Sequence, residues 1–299
     1  MSSTLIARKD FEDAVRSRLV WAVMGVFLFL MALVAVSAST QDLSEVEPTQ
    51  LIVTVTNIGG LLFIPIVSLI VGYMAIVGER QSGSLRVLFG LSHSRWDVFV
   101  GKFVSRLGVV FVATLLTVAL TVGMAVAMFD SVPLGTYLGY SALTILLGLA
   151  FAAIAVGVSA VSTSRMQAMG GAIGSYVVFS LIWHPLVAGV HYLLEGSMPG
   201  LEAPEWYFLL LRLNPLDAYR QVSSELADQF IWGIIGMENI VEDIPDAAFE
   251  NPDTLLLSNR VSGDLPFYLS DWFAAVILLA WIVVPLAIGY WRFDGADLN

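Results

Sequence analysis

Cysteine is absent from this 299-residue chain, which excludes disulfides, a thiolate nucleophile and any cysteine-ligated metal. Charge is scarce. Asp, Glu, Lys and Arg supply 13% of the residues, about half of what a water-soluble domain carries, too little to solvate a globule of this size. Histidine occurs three times, as His93, His184 and His191. No Gly-x-x-x-x-Gly-Lys-Ser/Thr sequence occurs, and Gly101-Lys102 is followed by Phe103 without the upstream glycine. The chain therefore has no P-loop to cradle a nucleotide phosphate. His-Glu-x-x-His and Gly-x-Ser-x-Gly are missing too, so neither a zinc-hydrolase nor a serine-hydrolase signature is present. There is no internal repeat and no low-complexity tract.

What is there is apolar. Hydrophobic residues make up 58% of the chain and the mean hydropathy is +0.82. The apolar residues fall in blocks instead of alternating, which argues against a water-facing amphipathic fold. A bilayer crossing needs about 20 apolar residues. Six stretches qualify: Leu19 to Ala38, Leu51 to Val77, Leu107 to Phe129, Tyr137 to Val161, Ala168 to Tyr192, and Trp272 to Tyr290. The predicted fold class is an all-α integral membrane protein, a single transmembrane domain over 1–299 with six transmembrane helices. The first run follows Arg8, Lys9, Arg16 and Arg18 and has no clear cleavage site, so it reads as a retained helix and not a signal peptide.

Six crossings put both termini on one side, and charge decides which. With the N-terminus inside, 11 of the 14 Lys and Arg residues lie in inner segments; Arg212, Arg220 and Arg260 alone lie outside, among 18 of the 25 acids. That is a positive-inside bias, and it predicts cytoplasmic termini. The net charge of −11 fits an acidic proteome, but the placement of the charges says more than their sum. The acidic segment 193–271 is then extracellular. Within it Asn214 can cap a helix, Pro215 suits the first helical position, and Asp217 sits where a capping-box carboxylate belongs. Leu216, Tyr219, Val222 and Leu226 form an apolar stripe at helical spacing. These features predict a helix to about Phe230, lying on or just within the outer interface, with Trp206, Tyr207 and Trp232 at headgroup depth. The remainder, with Pro245, Asn251-Pro252 and Gly263, reads as irregular loop.

The cytoplasmic loop 78–106 is the most informative stretch. Leu85, Leu88 and Phe89 form an i, i+3, i+4 apolar edge, while Arg80, Arg86 and Arg95 can face the cytosol. Gly90 is a plausible helix stop, and Ser94 with Asp97 resembles a capping box for the next helix. The loop is thus predicted as helix, break, helix. A connector that only joined two crossings could be far shorter.

The residues Glu79-Arg80, Gly83-Ser84-Leu85 and Leu88, then Ser94-Arg95, then Gly101-Lys102 resemble the first intracellular loop of ABC-2 type transporter permeases. In that family the loop forms a coupling helix that docks into a cleft on the nucleotide-binding subunit. The resemblance places Glu79, Arg80, Gly83, Ser84, Leu85 and Leu88 at the docking element, with Arg95, Gly101 and Lys102 at its exit. The proline usual between the two halves is missing, and His93 stands nearby. The resemblance implies a type V exporter-like permease fold in the cell membrane, coupling ATP hydrolysis to substrate movement, with export the expected direction. It implies a separate P-loop ABC ATPase, a permease homodimer or heterodimer and membrane lipid as partners. No nucleic acid, cofactor, metal or enzymatic activity of its own is expected. Leu213 to Arg220, with Asn214, Pro215, Asp217 and Arg220, resembles an Asn-Pro-x-Asp-x-x-Arg segment of the NosY-like branch. Some members of that branch act in copper-centre maturation of nitrous oxide reductase.

Two other readings stay open. A secondary carrier would need a buried ionisable group, and the six predicted spans contain no Asp, Glu, Lys or Arg. A membrane assembly factor without transport is the other. His184 and His191 share a helix face, and with Glu195 they could hold a metal, though polar residues at interface level account for them better. Met166 and Met169 are better explained by packing. Gly59-Gly60 and Gly170-Gly171 with Gly174 offer close-packing surfaces.

Overall fold

The computed structural model describes residues 3–18, 21–22, 25–26, 28–30, 33, 48–84, 94–233, 236–245, 248, 251–261 and 264–295. Among these residues the chain is built from helices. Helix α1, Ser3–Val15, precedes the membrane segments. Among the described residues five helices are long and apolar enough to cross a bilayer: α2 (Ile52–Ser82), α3 (Arg95–Met128), α4 (Leu134–Val161), α5 (Arg165–Glu195) and, after the segment 196–270, the last helix, Asp271–Asp294. The outer segment contributes α6 (Glu205–Arg212) and α7 (Pro215–Ala227), which makes the last helix α8. The predicted crossing Leu19 to Ala38 lies largely outside the described residues; those described within it, such as Trp21, Val26 and Phe29, are helical and exposed.

The helices outrun the apolar blocks because polar caps and partners extend them. Helix α3 begins at Arg95, not at Leu107. The predicted capping box is present: the Asp97 N–H donates to Ser94 Oγ at 3.0 Å, and the Ser94 N–H donates to Asp97 Oδ2 at 3.3 Å. Those reciprocal bonds satisfy two of the donors that a helix start leaves open.

Helix α4 is the centre of the bundle. Ala150, Phe151, Ala152, Ala153, Ala155 and Val156 on it are fully buried. Its small residues let neighbours approach closely. A Cβ on Gly157 would lie 2.5 Å from Pro285 O, one on Gly289 2.8 Å from Gly157 Cα, and one on Gly72 2.4 Å from Ala155 Cβ. In lipid, where burial of apolar surface drives little helix association, such contacts carry it. The glycines singled out from sequence divide. Gly60 lies under the Tyr219 ring and Gly171 against Val158, while Gly170 and Gly174 face open space.

Two helices depart from regular geometry. Helix α2 carries a π-helical stretch at Thr56–Phe63 and a turn at Tyr73 to Ile76. At that turn the Ile76 and Val77 N–H groups donate to Ser159 Oγ of α4, at 3.0 and 3.1 Å. An unpaired amide at membrane depth would cost several kcal/mol, and this hydroxyl removes two. Helix α5 has a π-helical turn at Val178–Ile182 just before Pro185, which lacks an N–H.

The outer helix departs from its predicted setting. Helix α7 ends at Ala227, capped by Asp228 at φ 52°. It does not lie as a half-exposed surface helix. Pro215, Leu216, Asp217, Ala218, Tyr219, Arg220, Val222 and Ser223 are all buried, against α8, α4 and α2. The polar face can be buried because Asp217 and Arg220 neutralise each other on it. Tyr207, expected at headgroup depth, is likewise fully buried.

Candidate functional site

The loop predicted to carry function begins where α2 ends. Residues Val77–Ser82 form its last turn and Gly83 closes it in the left-handed conformation, φ 76°, which a glycine adopts without the Cβ clash other residues suffer. Gly83 ends α2, and Gly90, the predicted stop of the loop helix, lies outside the described residues together with Leu85, Arg86, Leu88, Phe89 and His93. The Ser84 hydroxyl donates back to the Glu79 carboxylate and to Glu79 O, the latter at 3.3 Å.

Glu79 and Lys102 belong to one buried ionic network. Lys102 Nζ donates to Glu79 Oε1 at 2.6 Å and to Asp10 Oδ1 at 2.6 Å, and Arg106 Nη2 lies 3.0 Å from Asp10 Oδ2. The side chains of Lys102 and Asp10 are 6% and 9% exposed. Two positive and two negative groups balance, which is the condition for burying them at all. The network ties α1, α2 and α3 together. Gly101 permits it: a Cβ there would lie 2.9 Å from Ile6 and from Ser3 O, so α1 sits directly on this glycine. Sequence reasoning missed Asp10. Its signal was its position on the buried face of α1, with Ile6, Ala7 and Ala14. Lys102 and Arg106 also show that ionisable groups are buried just beyond the predicted apolar limits.

Arg80 and Arg95, expected to face the cytosol, turn inward. Arg80 Nη1 donates to Ser162 O at 2.6 Å and Nη2 to Ala160 O at 3.4 Å. Arg95 Nη1 donates to Phe293 O at 2.8 Å and also to Asp294 O. Each guanidinium thus caps the C-terminal end of a membrane helix, where carbonyls lack internal partners and the helix dipole favours a cation.

At the opposite end, Asn214 Oδ1 accepts the Leu216 N–H at 3.0 Å as the predicted cap, with Pro215 in the first turn. The reciprocal half of a capping box does not form. The Asn214 N–H is held by Leu211 O, so Asp217 Oδ2 accepts from the Asn214 side-chain amide instead, at 2.8 Å. That same amide donates to Phe179 O in the π-helical turn of α5, at 2.8 Å. Arg220 reaches Asp217 Oδ1 through Nε and Nη2, at 3.2 and 3.0 Å, and Ile231 O through Nη1 at 2.8 Å. His184 Nε2 lies 3.4 Å from Asp217 Oδ1. The motif residues therefore come together in a buried polar cluster where α7 meets α5.

Four further anchors hold the segment between α5 and α8. The indoles of Trp183 and Trp281 donate to Leu210 O and Leu213 O, at 2.9 and 2.8 Å. Fully buried Arg212 donates to Gln221 Oε1 and Ser270 O, at 2.8 and 2.6 Å, and burial pushes its pKa down to about 10 against the pull of Asp271 and Glu225. Tyr207 donates to Glu242 Oε1 at 2.7 Å; burial, then the charge and hydrogen bond of Glu242, push this phenol far above its ordinary range. His191 stacks on Trp206 and pairs with Ser197 O, so the two helix histidines serve different partners. Among the described residues no group of three His, Asp or Glu converges as a metal site.

One sizeable apolar cavity, about 360 Å³, lies between α2 and α5, lined by Ile66, Leu69, Ile70, Tyr73, Met169, Ile173 and Tyr176 among others. Met166 is 73% exposed.

Comparison with known proteins agrees with this layout. Residues 4–298 match the family described as ABC-2 family transporter protein. A protein of Pseudomonas aeruginosa named "Probable ABC transporter permease protein NosY" is 28% identical over 252 residues, covering 81% of this chain and 88% of that protein. One of the same name from Stutzerimonas stutzeri is 27% identical over 295 residues, covering 95% of each.

Proposed function

Because this chain belongs to the ABC-2 family of transporter proteins, as a multi-pass membrane permease whose family implies an ABC ATPase partner, we propose that its loop 78–106 is the cytosolic element through which that ATPase drives it. In this reading six helices cross the membrane, both termini are cytoplasmic, and ATP-driven closure of the ATPase pair displaces the loop and switches the bundle between inward-open and outward-open states. Export is the direction we assign. Glu79, Arg80, Gly83, Ser84, Leu85 and Leu88 form or position the docking element, and Arg95, Gly101 and Lys102 fix its exit. Asn214, Pro215, Asp217 and Arg220 hold the outer closure. Two permeases work together, and the open faces of Gly170 and Gly174 on α5 suit contact with a second subunit.

The observation that carries the reading is the buried network of Asp10, Glu79, Lys102 and Arg106. A passive connector has no use for a buried ion pair, Lys102 with Asp10, joined by half-buried Glu79 and Arg106 at its root, whereas a force-bearing one needs a rigid attachment. The test is a Gly83→Asp or Leu85→Asp exchange in the permease reconstituted with its ABC ATPase. Stimulation of ATP hydrolysis by the permease should fall about tenfold or more. Unchanged stimulation would sink the proposal, as would reaction of a Ser84→Cys variant with an impermeant thiol reagent added outside intact cells.

A further inference from the structure

Arg80 and Arg95 each form one leg of a two-point attachment to a different membrane helix. Arg80 holds Ala160 O and Ser162 O at the end of α4. One turn earlier, Ser159 Oγ of α4 holds the amides of Ile76 and Val77. The tail of α2 is therefore fastened to the last turn of α4 through both side chain and backbone, and it cannot rotate without turning that end.

Arg95 leaves α3 directly after the Ser94–Asp97 cap, which sets its direction. Its guanidinium holds Phe293 O and Asp294 O of α8. Beside it Trp96 and Phe99 meet Tyr290 edge-on, with ring centroids 4.8 and 5.4 Å apart, and Phe99 also meets Phe293 at 6.2 Å. So the root of α3 grips the last turn of α8 by carbonyls and by rings. The two helices grasped touch each other where Gly157 meets Pro285 and Gly289.

Building on the coupling role given above to the loop, we propose that Arg80 and Arg95 are positioning residues that transmit loop movement to α4 and α8, and that neither docks the ATPase. Both guanidiniums are bonded to the permease's own helix ends. Displacing the loop pulls the end of α4 through Arg80 and the end of α8 through Arg95, each by its own attachment.

The absence of native cysteine allows a direct test. Val161→Cys at the exposed end of α4 and Trp291→Cys at the exposed end of α8 each carry a fluorophore, in permease reconstituted in nanodiscs with its ABC ATPase. ATP should change the signal at both positions in the otherwise unsubstituted chain. Arg80→Ala should reduce the change at 161 about tenfold while ATPase retention is unchanged. Arg95→Ala should do the same at 291. Arg80→Lys and Arg95→Lys should recover part of the change, since an ammonium can still donate to a helix-end carbonyl but lacks the planar fork that fixes its direction. Melting temperatures recorded alongside separate lost transmission from lost folding, because a general loosening would affect both probes alike. Release of the ATPase by either alanine variant would overturn the proposal, and so would undiminished signals in both. If ATP changes neither probe in the unsubstituted complex, transmission through these helix ends is refuted. If no ATPase is retained even there, the coupling role of the loop is what fails.

Discussion

Lys102 and Asp217 are both buried charges with several partners, and the difference between them separates the two ends of the molecule. The partners of Lys102 are Asp10 on α1 and Glu79 on α2, so its ion pairs join elements that are otherwise separate. Most of the partners of Asp217 lie on its own helix: Arg220 at i+3 and the Asn214 cap at i−3. His184 of α5 approaches at 3.4 Å, but the main link from this cluster to α5 runs through a neutral amide, Asn214 to Phe179 O. At the loop end charge fastens helices together. Around Asp217 charge is settled within one helix, and neutral hydrogen bonds from Asn214, Trp183 and Trp281 do the fastening there, although Glu242 and Arg260 form a buried pair elsewhere in the same segment. Ion pairs between elements make an attachment that resists displacement from many directions. A locally neutralised helix can be buried without committing its neighbours.

The largest expected effect breaks this contrast if it is absent. Lys102→Met leaves Glu79 without its cation and Asp10 with Arg106 alone, and should cost about 3–5 kcal/mol, as removal of one member of a buried ionic network does. Thermal unfolding in nanodiscs measures it. A loss below about 1 kcal/mol, the scale of a solvent-exposed pair, would mean that the network is not buried in the working protein.

Asp217→Asn should cost less, about 1.5–3 kcal/mol, the value of hydrogen bonds to one charged group. Arg220 keeps Ile231 O and its place over the Phe230 ring, so it is not left bare. A loss larger than that of Lys102→Met in the same assay would reverse the ranking of the two ends.

The smallest effect tests the outer end alone. Burial, and then the nearby charge of Asp271, raise the pKa of Glu225 above its ordinary value. The native state therefore binds a proton more readily there than the unfolded chain, and stability falls as pH rises through that interval. Glu225→Gln removes the unfavourable charge while an amide oxygen still accepts the Ser258 N–H. The variant should melt slightly higher at pH 7, with the gain vanishing as pH falls to the ordinary glutamate value of 4.5. An equal gain at both pH values would show that the carboxylate is not strained.

Local signals were legible in the sequence. The Ser94–Asp97 capping box, the Asn214 cap with Pro215, and five long apolar helices all depend on residues within a few positions of one another, where spacing alone fixes proximity. The sequence reading failed wherever the partner was remote. Arg80 and Arg95 were placed towards the cytosol, opposite an apolar edge of the loop, yet their acceptors are carbonyls at the ends of α4 and α8. The capping box at Asn214 failed because the α6–α7 turn had already used the Asn214 amide. Helix α7 looked like an interface helix because a moment of one face cannot show that the other face is buried too.

Membrane residence and the all-helical class follow from composition and order alone, because bilayer thickness and backbone hydrogen bonding leave a chain this apolar few alternatives. Which charges meet, and which helix ends the loop grips, was decided only in three dimensions. Asp10 and Lys102 are 92 positions apart and Arg95 and Phe293 are 198 apart. An ion pair or a capped carbonyl at such separation has no signature along the chain; close packing on Gly101 and Gly157 brings the partners within reach.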